Sequence, residues 1–290
     1  MTIPVIATGM SGLVGSRVRE LLQDKFYFED LSLTTGIDIT DADAVAKAFD
    51  LSDAKIVLHM AAKTDVDACE DDKYLGKEGG AWLVNVQGTK NIVSAAAKTG
   101  KKVIYISTDF VFDGTKEIYN EKDKPNPVSW YGYTKFLGED EVSSSGEIFN
   151  IIRISYPYRS KFEEKMDFVH RILDNMKKGK RIYGLTDHIF TPTFVDDIAV
   201  CLELFLNRDL SGIYHVVGSQ ALSTIDALKI IKEVYNLSAE IIPVERSEFF
   251  KQRAFRPFKL ALNNDKIQKL GLTMLPFDRG ILKVKKQDSP

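Results

Sequence analysis

The segment Gly9-Met10-Ser11-Gly12-Leu13-Val14-Gly15 constrains this chain more than any other stretch. It spells GxxGxxG directly after a short apolar run, residues 4–9, and leads into a helical pattern with Val14, Val18, Leu21 and Leu22 on one face. Glycines so placed let the backbone turn tightly and come close to a pyrophosphate. The helix that follows offers unpaired N–H groups and the positive end of its dipole. Strand, loop and helix in this order predict a dinucleotide site at the start of a parallel α/β sheet.

The rest of the first half repeats that alternation. Residues 55–62 (KIVLHMAA), 102–108 (KVIYIST) and 148–155 (IFNIIRIS) read as buried strands, and 42–49, 82–99 and 131–142 as helices between them. Strands that are apolar without interruption belong to a parallel sheet covered on both faces. The expected fold class is therefore α/β, a doubly wound parallel (Rossmann) sheet over residues 1–155. A smaller, interleaved C-terminal substrate lobe is expected over 156–290. In it, 168–176, 193–206 and 223–235 read as helical, the last with Ser223 or Thr224 as N-cap. Residues 212–218 (GIYHVVG) read as one more core strand, so that 193–218 would return to the sheet. The polar end, KVKKQDSP, is expected to fray.

Bulk properties exclude several classes. A chain of 290 residues can bury roughly three quarters of its unfolded surface and needs no disulfide or metal for a core. Its net charge of -2 gives no electrostatic case for nucleic acid or an anionic membrane. Cys69 and Cys201 stand far apart, without CxxC spacing, which argues against a zinc site and fits a reducing compartment. No run approaches the ~18 apolar residues of a membrane span. A cytoplasmic location, no metal, no nucleic-acid or membrane partner, and a homodimer as the open assembly are the expectations.

The cofactor's identity turns on the second strand, expected near residues 26–33 and ending in Thr34-Thr35-Gly36. An acid there would hold a ribose 2′-hydroxyl and an arginine a 2′-phosphate. Neither is found at that end, which favours NADP(H) slightly and leaves NAD(H) open. Asp38 and Ile39 are placed to meet the adenine, although a turn around Thr40 explains this segment equally well.

Tyr131 and Lys135 form a YxxxK pair that projects from one helix face. An ammonium beside a phenol favours the phenolate and would lower the tyrosine pKa from its usual ~10, making Tyr131 a usable proton donor to a ketone. Ser107-Thr108 ends a buried strand, where the Thr108 hydroxyl can hold a substrate carbonyl against the phenol.

These segments together resemble an extended short-chain dehydrogenase, in which the GxxGxxG spacing is also found. The nearest likeness is to the dTDP-4-dehydrorhamnose reductase branch. The likeness is carried by TGMSGLVG (8–15), DITD (38–41), HMAAKTDVDACE (59–70), NVQGT (85–89), YISTDFVFDG (105–114), PNPVSWYGYTKFLGE (125–139), TPTFVDDIA (191–199) and RPFKLAL (256–262). It implies NAD(P)H-dependent reduction of a 4-keto-6-deoxy sugar nucleotide in carbohydrate biosynthesis. Tyr131 would donate the proton, Lys135 would bind the nicotinamide ribose, and Thr108 would orient the ketone. Ala61, Ala62 and Thr64 would line the cofactor cleft, and Asn85 would support the site or its helix. Asp109, His188 and Arg256 fall where the family meets substrate. His59 and His215 lie inside apolar runs and read as core histidines, and Asp196-Asp197 as a favourable helix start.

The chain departs from the pattern in two places. Residues 77–80 look like a small insertion near the cleft. Tyr156-Pro157-Tyr158-Arg159 stands where the family usually has an aromatic and a glycine, which bears on the sugar accepted. The Asp-Glu of sugar-nucleotide dehydratases is missing, since Asp109 is followed by Phe110, and Asp109 also replaces the cysteine of the epimerase-reductases. The branch also includes the regulatory subunit of methionine adenosyltransferase, so a non-catalytic NADP-binding subunit and a sugar-nucleotide epimerase are the alternative readings.

Overall fold

The computed structural model describes residues 2–146, 148–251 and 253–289. Six parallel strands form its main sheet: β1 (Ile3–Thr8), β2 (Phe26–Leu31), β3 (Ile56–His59), β4 (Lys102–Thr108), β5 (Phe149–Ile154) and β6 (Gly212–His215). Their spatial order is β6-β5-β4-β3-β1-β2. The doubly wound sheet expected from the sequence is present. The chain leaves β1 toward β2 on one side and returns to β3 on the other, so Gly9 sits where the winding reverses. Ligands of such sheets bind beyond the strand ends at that point.

Period-two alternation buries both faces, which is why the strands read as unbroken apolar runs. Val5 and Ala7 join Phe26, Phe28, Ile104 and Ile152 on one face, while Ile6, Val57, Tyr105 and Ile151 fill the other. Helix α1 (Leu13–Leu22) covers the first face together with α7 (Val195–Asn207), whose Ile198, Leu202 and Phe205 share a core with Val18 and Leu22. Helices α2 (Ala42–Leu51) and α4 (Thr89–Lys98) cover the second face through Val45, Phe49, Ile92 and Ala96. The Asp41 carboxylate caps α2 by accepting from the N–H groups of Asp43 and Ala44.

Helix α3 (Val66–Asp71) follows β3, and α5 (Trp130–Ser143) follows β4, capped by Ser129 at the N–H of Gly132. Before α4 the chain makes a turn at Gly80–Trp82 and a π-helical segment at Leu83–Gly88 inside what the sequence reads as one regular helix. The outer lobe holds α6 (Phe168–Lys177), α8 (Thr224–Val234, with Ser223 as the expected N-cap) and α9 (Phe277–Gln287). Its own core contains Tyr158, Phe190, Phe194, Leu228, Phe277 and Ile281. The frayed end expected for KVKKQDSP is not what forms. The helix α9 continues through Gln287, because Ile281 and Val284 dock into this core, and Pro290 lies outside the described residues.

Candidate active site

The three loop glycines do different jobs. Gly9 has φ +72°, and a Cβ there would stand 2.7 Å from the backbone N of Ala61. A Cβ on Gly15 would come within 2.3 Å of the Gly9 carbonyl oxygen. Both are demanded by the protein's own backbone packing. A Cβ on Gly12 meets only the Gly9 carbonyl oxygen, at 3.2 Å. Gly12 is also the N-cap of α1, and no side chain caps the helix there. This cradle fits a pyrophosphate: the space a side chain would fill is kept clear in front of a helix N-terminus. Of the neighbouring residues, Ser11 is exposed, Leu13 and Val14 are half-buried, and Met10 turns its side chain into the core. Ala61 and Ala62 border the loop from the end of β3, and Thr64 is exposed beside them. Ile39 is a core residue, and the Asp38 carboxylate accepts from the N–H and hydroxyl of Thr40, which forms the local turn around Thr40.

The end of β2 differs from its sequence reading. The strand stops at Leu31, three residues before Thr34. The hydroxyl of Thr35 accepts from the Ser32 N–H and donates to the Asp30 carbonyl, turning Leu33–Thr35 into a 3₁₀ turn. An acid and a base do flank the true strand end: Asp30, and Arg19 with its Nη2 3.2 Å from the Asp30 carboxylate.

At the other end of the cleft β4 delivers Thr108. Helix α5 can press against it because residue 132 is glycine: a Cβ there would lie 2.1 Å from the Phe110 carbonyl oxygen. That close approach brings Tyr131 beside Thr108 and sets its ring edge-on to Phe110 at 5.6 Å. Lys135, one turn on, donates from Nζ to the Ile106 carbonyl at 2.8 Å and lies 4.0 Å from the centre of the Tyr105 ring.

The electrostatics correct one expectation. Burial pushes the Tyr131 phenol up, against the pull of the neighbouring Thr108 hydroxyl, and Lys135 is not among the groups that move it. Burial likewise pushes Lys135 down to about 7, with Glu139 pulling the other way. The expected ammonium–phenolate couple is thus replaced by a neutral phenol, the form that can donate a proton.

Behind these groups stand residues that fix them. Asp109 is almost wholly buried, accepts from Thr108 Oγ1 at 2.9 Å and Ser155 Oγ at 2.6 Å, and burial raises its pKa to about 7. Both of its oxygens are engaged within the protein, so it acts on Thr108. Asn85 joins the β3 loop to α5: Oδ1 accepts from the Lys63 N–H at 2.8 Å, and Nδ2 donates to the Lys63 carbonyl and to Thr134 Oγ1, both at 3.0 Å.

His59 is buried as expected and held neutral, its pKa pushed down to about 3 by desolvation. Thr89 Oγ1 donates to the Asn85 carbonyl, so the His59 Nε2–H donates to Thr89. Nδ1 then accepts from Thr8, whose oxygen in turn accepts from the N–H groups of Met60 and Ala61. One proton chain thereby ties β1, β3 and the helix layer below the loop. No sequence signal marks it.

The remaining candidates sit further out. His188 donates from Nδ1 to the Pro257 carbonyl and accepts from the Tyr156 hydroxyl, both at 2.9 Å, so its ring nitrogens are taken and it holds Tyr156. Tyr156 itself has φ +40°, an uncommon conformation for a bulky residue, and packs against Phe110 and Phe190. Arg256 pairs with Asp67 at 2.5 Å and donates to the Ala254 carbonyl, clasping residues 254–256 to α3. The segment at residues 77–80 runs beside a Lys63–Asp72 ion pair of 2.5 Å, and Asp72 accepts from the Ala81 N–H. Among the described residues no group of three or more His, Cys, Asp or Glu is placed to hold a metal, and no helix is long and apolar enough to cross a membrane.

Known proteins match this arrangement along nearly the whole chain. The family described as the RmlD substrate binding domain matches residues 1–287. A dTDP-4-dehydrorhamnose reductase of Sinorhizobium fredii is 31% identical over 82% of each chain. The methionine adenosyltransferase 2 subunit beta of Xenopus tropicalis is 28% identical over 97% of this chain and 87% of its own. Among solved structures, the dTDP-4-dehydrorhamnose reductase of Bacillus anthracis in complex with NADP superposes with a TM-score of 0.90 and 29% identity, covering 99% of this chain and 100% of that one.

Proposed function

The chain belongs to the RmlD substrate-binding family, and on that premise we propose that it is an NADP(H)-dependent reductase of a 4-keto-6-deoxy sugar nucleotide, with Tyr131 as proton donor. Family membership over residues 1–287 and the reductase relatives make it an NAD(P)-dependent oxidoreductase acting on a sugar nucleotide. The finer reading is carried by one observation: a neutral Tyr131 phenol, beside the Thr108 hydroxyl, stands at the same edge of the sheet as the open glycine cradle. NADP(H) is favoured by the NADP complex of the similar structure. When bound, the reduced nicotinamide supplies the hydride.

The chain's own residues then do the following. Gly12 and the first turn of α1 hold the pyrophosphate, and Thr108 orients the ketone oxygen. Tyr131 Oη gives that oxygen a proton as negative charge develops on it. Lys135, whose ammonium is easily deprotonated in this burial, binds the nicotinamide ribose and returns a proton to the phenol. Tyr156, held by His188, forms a wall toward the sugar, and Arg256 lies farther along the substrate lobe.

The test is cofactor oxidation over a panel of keto-sugar nucleotides, with Tyr131→Phe beside the unaltered chain. The variant is expected to bind cofactor normally and to lose roughly 10²–10⁴-fold in rate. Near-normal turnover would remove Tyr131 from the mechanism. The similarity to the adenosyltransferase beta subunit gives a second reading its ground. Stoichiometric capture by a synthetase with no turnover on any keto sugar would favour it.

A further inference from the structure

The segment from Arg159 to Asp167 forms neither helix nor strand, yet it is pinned at both ends. At its start the Arg159 side chain is buried on the first turns of α1, with Nη1 2.8 Å from Ser16 Oγ and Nη2 2.8 Å from Glu20 Oε1. At its end Asp167 accepts from the Arg159 N–H and from the His170 N–H in the first turn of α6. The His170 ring lies between two carboxylates, Nδ1 3.0 Å from Asp167 and Nε2 2.9 Å from Asp288. Burial alone would lower its pKa, but the two hydrogen bonds prevail and raise it to about 9, so the ring is an imidazolium at neutral pH. Asp288, just past the end of α9, also accepts from the Lys161 N–H at 2.6 Å and so holds the near arm of the segment.

Between these anchors residues 163–166 are exposed. Lys165 reaches the far side of the cleft, its Nζ 3.5 Å from the Thr64 hydroxyl, while the nearby Glu163 carboxylate is taken by Lys161 at 2.6 Å. Thr64 follows β3, and β3 pairs with β1, so the segment runs from α1 to beyond the strand end that carries Gly9. An ammonium that meets one neutral hydroxyl at the limit of hydrogen-bond distance is available to a stronger acceptor. We propose that residues 159–167 are a strap across the dinucleotide's pyrophosphate and that Lys165 is the cation that closes it. Each phosphate of the pyrophosphate carries a negative charge, and the N-terminus of α1 offers the equivalent of only roughly +0.5. Lys165 supplies the charge that the helix leaves unmet, exchanging Thr64 for a phosphate oxygen. The Arg159 fork is already filled by Ser16 and Glu20, so it acts as the fixed post of the strap. This assignment rests on the glycine loop being a dinucleotide site.

The experiment measures Kd for NADPH and for NADH on the full chain, with no sugar nucleotide present, from quenching of protein fluorescence. Lys165→Ala should weaken both by the same factor, about three- to tenfold at low salt, and the loss should shrink as salt rises. Trypsin reads the strap itself. NADPH should slow cleavage after Lys161 by about fivefold or more relative to cleavage after Lys178, an exposed lysine at the end of α6. A loss confined to NADPH would assign Lys165 to the 2′-phosphate and overturn the strap. So would an unchanged Kd for both dinucleotides in Lys165→Ala, or unchanged cleavage after Lys161 in a chain that binds NADPH. Binding of neither dinucleotide by the unaltered chain would overturn the strap together with the reading beneath it.

Discussion

At the scale of single residues, Tyr131 stays protonated because burial disfavours its phenolate, and the groups moved toward neutrality, Asp109 and Lys135, are its neighbours. Asp109, raised to about 7 by burial, is protonated in the folded chain over a window where the unfolded chain is ionised. The folded state therefore binds the extra proton between about pH 4 and 7, and this contribution to stability falls as pH rises through that window. Asp109→Asn should remove that slope: thermal unfolding of the variant, compared with the unaltered chain, should be relatively more favourable to the variant at pH 7.5 than at pH 5. Its kcat should fall by roughly tenfold or more, since an amide nitrogen cannot accept in place of one of the two carboxyl oxygens that take the Thr108 and Ser155 hydroxyls. A variant whose slope matches the unaltered chain would remove Asp109 as the titrating group. The glycines divide just as sharply. Gly12→Val should raise the dinucleotide Kd at least tenfold or so while leaving the unfolding midpoint nearly unchanged. Gly15→Ala should cost about 1–3 kcal/mol of stability, because its Cβ would meet backbone at 2.3 Å. Equal effects in the two variants, read by calorimetry and fluorescence titration, would refute this division.

At the scale of elements, the strands were legible because burial on both faces leaves a compositional mark, as in KIVLHMAA and KVIYIST. Two features were not legible. The end of β2 is one, because Leu33 suits a strand, while the hydroxyl of Thr35 stops it through local bonds that no periodicity registers. The Asp30–Arg19 pair at the true strand end is illegible for the same reason. The π-helical segment was invisible because its widened turn follows from a tertiary demand, the placing of Asn85 between Lys63 and Thr134. Asn85→Ala should thus act across elements, costing about 1–3 kcal/mol and slowing turnover although residue 85 touches neither Tyr131 nor Thr108 in the contacts described. Hydrogen exchange at the Lys63 amide should quicken, and unaltered exchange there would show that the bridge is not what holds the loop.

At the scale of the whole molecule, charge holds what the apolar cores bring together. Arg153 and Glu139, both nearly inaccessible, pair at 2.6 Å beneath α5, and a strand reading of IIRIS gives no hint of it. Arg153→Met should destabilise the fold by roughly 3–5 kcal/mol by leaving a buried carboxylate alone, with Arg153→Met/Glu139→Leu recovering much of the loss. A double variant no better than the single one would mean that packing, not pairing, sets the cost. The lobes are stitched together in a different way. Arg159, from the segment where the chain departs from its relatives, lies on α1 and meets Glu20 at 2.8 Å and Ser16 Oγ at 2.8 Å, while Arg17 of the same helix pairs with Asp196 of α7 at 2.7 Å.

Helix α1 is thus gripped from outside by residues that come more than a hundred positions later, and its inner face is completed by Ile198, Leu202 and Phe205. The nucleotide cradle is consequently not a portable cassette. A gene cut after codon 155 would encode every glycine of the cradle and the whole Tyr131 helix, yet would strip α7 from beside α1 and β6 from the edge of the sheet, exposing half of one apolar face. Such a fragment should aggregate on synthesis and be rescued only by supplying the remaining polypeptide in trans.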